Sequence, residues 1–439
     1  MKLIRRDVST VYPSEPCEPH VMYMSGADHI VRPRHLPLLV FYKAREDGEE
    51  VMPTQLLKNS LSSLLSKFYP AAGRLRRRSS DRKLELLCNN AGVEFVEATV
   101  DGTLNEFDGF TPNKFYTELL DPVPVGFGEA FTEFPITYIQ VTRFACGGVS
   151  LVTTINHACT DGLSANQFLT SWSEVARGLE MSNPPFHDRT LLKVQTSPDP
   201  DFHPKELRSL VSVQQVTPNG DLTSWPTERM FLFTPEQLRR VKKLAVGAGE
   251  HGTFTTFEAI NAHVWRSVTK ARNLPANTPT KFLTTLDMRK RLKPNLPEGY
   301  FGNAICFVSA SSTSHDIVQN ALSYSANVIR EAIHGFSESY YRNFLGFAQS
   351  HPHPLVMNVN WAESAGHDVS VSSWARMGFM NLDFGSGNPV FCGPGNNPFE
   401  GSIFMLPTDK GDGFLNIFVS LKPQHMKNLE SDAEFFLRD

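Results

Sequence analysis

Pro184, Pro185, Pro198, Pro200, Pro204 and Pro218, six of the seven prolines in residues 183–226, interrupt any periodic run there. Such a stretch inside a 439-residue chain reads as a long crossover joining two domains, 1–182 and 227–439. Both flanks mix strand and helix patterns. Before the crossover, residues 38–42 read as a strand. Leu57, Leu61, Leu64, Leu65 and Phe68 share one face of a helix that follows Pro53 and stops at Pro70-Ala71-Ala72-Gly73. Residues 136–141 and 149–156 read as further strands, the second alternating as a half-buried strand does. After the crossover, residues 230–233 read as a strand. Thr234-Pro235-Glu236-Gln237 then opens a helix with capping-box residues and proline at its first position. Thr255 and Glu258 form a second such box, ahead of Phe257, Ile260, Val264, Trp265 and Val268 at helical spacing. Residues 304–308 and 415–421 complete the strands, and two mixed α/β domains are expected.

Composition narrows the function. Hydrophobic residues at 41% and charged residues at 20% suit a folded globular protein. The formal charge of −4 argues against general nucleic-acid affinity. The densest basic run, Arg74, Arg76, Arg77, Arg78, Arg82 and Lys83, reads as a solvated hairpin or loop, with an anion site as the lesser alternative. No segment reaches ~18 apolar residues, so no membrane span is expected. The first residues, Met1-Lys2-Leu3-Ile4-Arg5-Arg6-Asp7, lack the apolar core of a signal peptide. Six scattered cysteines without paired spacing suit reduced thiols and a cytoplasmic location.

Chemistry concentrates at His157-Ala158-Cys159-Thr160-Asp161-Gly162. The histidine ends a strand and the acid lies in the turn that follows. Ser164 is placed to cap a helix burying Phe168, Trp172 and Val175. A rigid strand can aim a neutral imidazole, which then serves as a general base. Cys159 could be a thiol nucleophile, but its place two residues from His157 in a tight turn is poor geometry for a Cys–His pair. His351-Pro352-His353-Pro354 has no accompanying acid or cysteine cluster, so no metal site is expected.

The His157–Gly162 run resembles the HxxxDG signature of the plant BAHD acyltransferases, which move acyl groups from coenzyme A thioesters to alcohols or amines. Asp383-Phe384-Gly385-Ser386-Gly387 resembles their DFGWG signature, with serine in place of tryptophan. Tyr300-Phe301-Gly302-Asn303 matches their YFGN box. Phe68-Tyr69-Pro70-Ala71-Ala72-Gly73-Arg74-Leu75, His263-Val264-Trp265-Arg266 and Asp287-Met288-Arg289-Lys290-Arg291-Leu292 follow the same family in the same order. Within it, residues 146–151, 171–178 and His425-Met426-Lys427 look most like hydroxycinnamoyl transferases. The resemblance implies two similar-sized mixed-sheet domains of the chloramphenicol acetyltransferase type. An active-site channel would run between them, and a segment near Asp383 would cross back to support the first domain. It implies an acyl-CoA donor as substrate, a small alcohol or amine acceptor, no separate cofactor, and a monomer.

The resemblance also assigns roles. His157 would be the base, with no covalent intermediate. Asp161 would turn away from it to pair with Arg289, and Asp383 would make a structural ion pair. Ser372 aligns with a channel-lining threonine and is a candidate hydroxyl donor, while His35, Leu36 and Val40 would line the acceptor side. Shikimate-using enzymes carry Thr and Tyr at positions 36 and 40, and an arginine where Val359 stands; no arginine lies between Phe344 and Trp374. Those losses disfavour a compact anionic acceptor. A hydrolase reading would need a G-x-S-x-G elbow, which Gly162-Leu163-Ser164-Ala165-Asn166 fails at its last glycine. A non-catalytic binding protein would be marked by loss of the histidine, and His157 is present.

Overall fold

The computed structural model describes residues 2–31, 33–81, 83–111, 116, 119, 133–194, 199, 201–209, 226–246, 253–351, 355–357, 366–395, 397 and 399–438. In the first half, the strands are β1 (Leu3–Val11), β2 (His20–Met22), β3 (His35–Tyr42), β4 (Arg74–Arg77), β5 (Leu84–Cys88), β6 (Val93–Val100), β7 (Glu133–Pro135), β8 (Thr137–Arg143) and β9 (Val149–Asn156). Then come β10 (Leu207–Ser209), β11 (Thr227–Phe233), β12 (Pro279–Asp287), β13 (Ile305–Thr313), β14 (Leu355–Met357), β15 (Val369–Ser373), β16 (Phe391–Pro394), β17 (Ser402–Leu406) and β18 (Leu415–Leu421).

Two six-stranded sheets dominate, ordered β1-β6-β8-β9-β3-β16 and β11-β18-β17-β15-β12-β13. Both are mixed. In the first, β6 and β8 run parallel among antiparallel neighbours; in the second, β15 runs parallel to both β12 and β17. The described residues of the basic run, Arg74, Arg76, Arg77, Arg78 and Lys83, lie in the β4–β5 hairpin, where Arg76 pairs with Glu85 at 3.0 Å and Arg78 with Asp81 at 2.9 Å.

All eight residues of β9 are buried, so it is a two-sided central strand rather than the half-buried one its alternation suggests. Val149, Leu151 and Ile155 join the apolar cluster of helices Thr54–Lys67 and Gly162–Ala176, with Leu57, Leu61, Phe168 and Trp172. Val152 faces the other way, with Leu39 and Phe41, into a cluster that also holds Leu406 and Phe418 of the second sheet. Small hydroxyl residues Ser150 and Thr154 fit that covered surface. On the second sheet, helix Thr256–Arg272 is buried nearly all round. Its Thr255/Glu258 capping box is formed, and the Trp265 indole donates to Thr280 Oγ1 at 3.0 Å.

The division by sequence differs from the division by sheet. β16 belongs to the C-terminal part of the chain, yet it pairs with β3 as the edge of the first sheet. Phe379, Leu382 and Phe384 lie in the first sheet's core with Leu57 and Trp172. Phe384 meets the Trp172 ring edge-on at 5.0 Å, and the Tyr42 hydroxyl donates to the Leu382 carbonyl at 2.7 Å. Burying one such phenylalanine contributes about 1.5–3 kcal/mol, so the return segment is held by its side chains. The crossover is likewise more than a tether, because it delivers Arg189, a wholly buried arginine, into the space beneath the His157 turn.

Candidate active site

His157 ends β9 and is partly buried. Its N–H donates to the Arg34 carbonyl at 2.9 Å, and its own carbonyl accepts from Asn303 Nδ2 at 3.0 Å. The backbone is thus clamped from β3 on one side and the Tyr300–Asn303 run on the other. Ring Nδ1 is sealed from solvent with no partner in bonding geometry among the described residues. Burial pushes the imidazole pKa down; its own backbone carbonyl opposes this, and the Arg34 charge adds to the lowering. The ring is therefore neutral around neutral pH.

Asp161, not Ser164, is the N-cap of helix Gly162–Ala176, accepting from Ser164 N at 3.0 Å. An aspartate one position before the helix outcompetes a serine inside its first turn. Its four hydrogen bonds come from that amide, from Ala304 N at 2.9 Å, and from Arg289 Nη1 and Nη2 at 2.8 and 2.9 Å. Burial pushes this carboxyl up, but the Arg289 charge and the hydrogen bonds outweigh it and leave the pKa below the ordinary value. Among the described residues, no hydrogen bond joins Asp161 to the His157 ring.

The turn's other nucleophile candidates are occupied. Ser164 Oγ donates to the Gly302 carbonyl at 2.9 Å and accepts from Gly302 N and Arg289 Nη2, each at 3.0 Å. Cys159 is buried, which pushes its thiol up to about 12. Neither can supply an alkoxide or thiolate at neutral pH.

A second buried pair lies below. Arg189 Nη2 donates to the Cys159 carbonyl at 2.8 Å, and Nη1 reaches Asp28 Oδ1 at 3.3 Å. Asp28 also accepts from Asn303 Nδ2 at 3.0 Å, the group that holds the His157 carbonyl. Gly302 leaves room for this arginine: a Cβ there would come within 3.1 Å of Arg189 Nε. Sequence reasoning missed Asp28 and Arg189. The Ser25-x-x-Asp28 capping pattern was the available trace of the first; an arginine in a proline-rich segment left none of the second.

The acceptor-side residues scatter. Leu36 is partly exposed on the face of β3 that His157 shares. Val40, on that face, is 1% exposed within the apolar core, so it walls the site from behind instead of touching open space. His35 projects from the opposite face, its Nε2 held by the Pro135 and Ile136 carbonyls at 2.9 and 3.1 Å, and burial lowers its pKa to about 4. Ser372 stands opposite Phe404 on the second sheet, and its Oγ accepts from the Trp374 indole at 3.1 Å, leaving its own proton available. Val359 and His353 lie outside the described residues.

Asp383 closes a turn, accepting from Gly385 N at 2.8 Å and Gly387 N at 2.9 Å; Arg177 is 3.9 Å away at a partly exposed position. Ser386 Oγ accepts from Met52 N at 3.1 Å, a contact that ties the turn to the segment just before helix Thr54–Lys67. Among the described residues, no group of three His, Cys, Asp or Glu side chains could hold a metal, and no helix is long and apolar enough to cross a membrane.

Comparison with known proteins places this arrangement. The Transferase family model matches residues 1–436. The hydroxycinnamoyltransferase of Narcissus pseudonarcissus is 34% identical over 431 residues, covering 96% of this chain and 97% of that one. The hydroxycinnamoyl-CoA:5-hydroxyanthranilate N-hydroxycinnamoyltransferase of Avena sativa is 34% identical over 421 residues, covering 92% and 93%. In fold, the chain resembles F. sporotrichioides TRI101 complexed with coenzyme A and T-2, with a TM-score of 0.76 at 18% identity, covering 95% and 98%. The protein is an acyltransferase. It belongs to the BAHD acyltransferase family, close to the plant hydroxycinnamoyltransferase clade.

Proposed function

We propose that this enzyme transfers a hydroxycinnamoyl-like aromatic acyl group from coenzyme A to an alcohol or amine, with His157 as general base. The reaction would take place in a channel between the two sheet systems. The observation that carries the reading is the imidazole at the end of β9, its Nδ1 enclosed and its backbone held at both N–H and carbonyl, where burial lowers its pKa and favours the neutral ring. Nε2 is then the nitrogen left to face a substrate.

A thioester is already activated, so the chemistry needs one proton moved and one oxyanion stabilised. Nε2 takes the proton from the acceptor O–H or N–H as that atom attacks the thioester carbon. The carbonyl π electrons move to oxygen, and the Ser372 hydroxyl donates to the resulting oxyanion. Collapse re-forms the carbonyl and breaks the C–S bond, and the departing thiolate takes the proton from the imidazolium. General-base assistance of this kind is typically worth ~10²–10⁴ in rate. Asp161, spent on Arg289 and two backbone amides, supports the turn instead of polarising the base.

Direct transfer is favoured over a covalent acyl-enzyme route because Ser164 and Cys159 are both withdrawn from nucleophilic use. The test is a matrix of acyl-CoA donors against alcohols and amines, with mass detection of products. Conjugates are expected with aromatic acyl donors. Free acid without any conjugate would show a thioesterase and overturn the reading.

A further inference from the structure

Two buried atoms of the site have no partner in bonding geometry among the described residues: His157 Nδ1 and Asn303 Oδ1. They are complementary, since a neutral imidazole donates from one nitrogen and an amide oxygen accepts. The Asn303 side chain also bears on the imidazole, favouring its charged form as an acceptor does. The other end of the amide decides which way Oδ1 points. Asn303 Nδ2 donates to Asp28 Oδ1 and to the His157 carbonyl, each at 3.0 Å, and so spends both its hydrogens. A flipped amide would set its oxygen against a carboxylate and a carbonyl, three acceptors together. Asp28 is itself firmly held. Its Oδ2 accepts from Ser25 N at 2.8 Å and Ser25 Oγ at 3.1 Å, and its Oδ1 meets Arg189 Nη1 at 3.3 Å. Neither side chain of that ion pair has any exposed surface. The short helix Gly26–His29 that carries Asp28 is pressed against helix Glu338–Ser350, with no room for a Cβ on Gly26 beside the Leu345 carbonyl. Arg189 Nη2 reaches the Cys159 carbonyl at 2.8 Å, so the pair steadies the turn at both 157 and 159.

We propose that Asp28, paired with Arg189 of the crossover, is a positioning residue for the transfer: it holds the Asn303 amide in the one orientation that keeps the His157 proton on Nδ1 and the lone pair on Nε2. This inference rests on the acyl-transfer reading above. A ring protonated on Nε2 has no lone pair to offer the acceptor, so the base needs the right tautomer as well as a free proton site. Asp161 cannot set it, because its oxygens are spent on Arg289, Ser164 N and Ala304 N. The amide orients the ring as the acid of a triad would, without putting a charge on it. A carboxylate against Nδ1 would raise the imidazole pKa; a neutral amide leaves burial in control of it. Asp28, Arg189 and Asn303 come from the N-terminal segment, the crossover and the second half of the chain. The lone pair is therefore set only when all three are docked.

The experiment reads the tautomer directly, by NMR of the full chain labelled with ¹⁵N-histidine. The ring signals of His157 are picked out from those of the 14 histidines by their loss in His157→Ala. Near neutral pH the parent should show a protonated Nδ1 and a bare Nε2. Asp28→Asn and Asn303→Leu should each move part of the population to the form protonated on Nε2. Each should lower kcat with p-coumaroyl-CoA by ~10-fold or more, a part of the ~10²–10⁴ that an oriented base supplies, and leave the KM for that donor within about twofold. Asn303→Leu keeps the Asp28–Arg189 pair and stands in if Asp28→Asn does not fold. A parent ring protonated on Nε2 overturns the inference. So do variants that lose kcat while keeping the parent tautomer, which would make the network a support of the fold alone, and variants that match the parent in both. In these last two cases acyl transfer itself stands. No conjugate from the parent with any acceptor would remove both.

Discussion

Replacing Asp161 with asparagine keeps the shape of the side chain and removes its charge, which makes it the sharpest probe of the turn. The two carboxylate oxygens take four donors: Ser164 N and Arg289 Nη2 on Oδ1, Ala304 N and Arg289 Nη1 on Oδ2. An amide can satisfy only one of these pairs. Its NH₂ group must point donor-to-donor at the other, and Arg289 keeps only the more exposed Asp287, 3.0 Å away, as counter-ion. Breaking a buried pair from one side costs about 3–5 kcal/mol. We therefore expect Asp161→Asn to lower unfolding stability by about that much, measured as a shifted urea midpoint with unchanged slope. Arg289→Met should cost a similar amount, and the double variant should cost clearly less than the sum, because each single change strands the other's partner. If Asp161→Asn unfolds like the parent while turnover collapses, the carboxylate acts on the base and the structural account of Asp161 is wrong.

Two further outcomes follow from the site. His35 and His187 are both held neutral by burial, at about 4, against an ordinary value near 6.5. The unfolded chain binds more protons between those values, so stability should be full above about pH 6.5 and fall steadily towards pH 4; Tm against pH checks this, and a flat profile would contradict it. Ser372→Ala should lower kcat/KM by ~10²-fold or more, in line with loss of one oxyanion donor, with a readout in steady-state kinetics; a change under twofold would assign the hydroxyl to the Trp374 contact alone.

Much of the framework was legible before the structure. Local chemistry announced itself: the Thr255/Glu258 box, the Leu57–Leu65 face and the strand before His157 all depend on neighbours in sequence. Contacts across long separations were readable only where a motif flagged both partners, as with Asp161 and Arg289. Asp28 and Arg189 had no such flag, and an arginine with no exposed side-chain surface contradicts every local expectation for its type. β9 was misread because serine and threonine alternate with aliphatics there, a pattern that looks outward-facing until a second sheet covers it. His35 and Val40 were grouped with the pocket by position alone, although alternation along β3 puts them on opposite faces and packing closes Val40 in.

The central claim is that a neutral His157, and no covalent nucleophile, carries the transfer. Its most direct test is kcat for conjugate formation by His157→Ala, with folding checked by an unchanged urea curve. A loss of ~10²-fold or more is expected. It should be accompanied by disappearance of the acid limb of the pH–rate profile, a limb that in the parent should lie below the ordinary histidine value, since burial lowers this imidazole's pKa. A folded His157→Ala variant that turns over at nearly the parent rate would contradict the account.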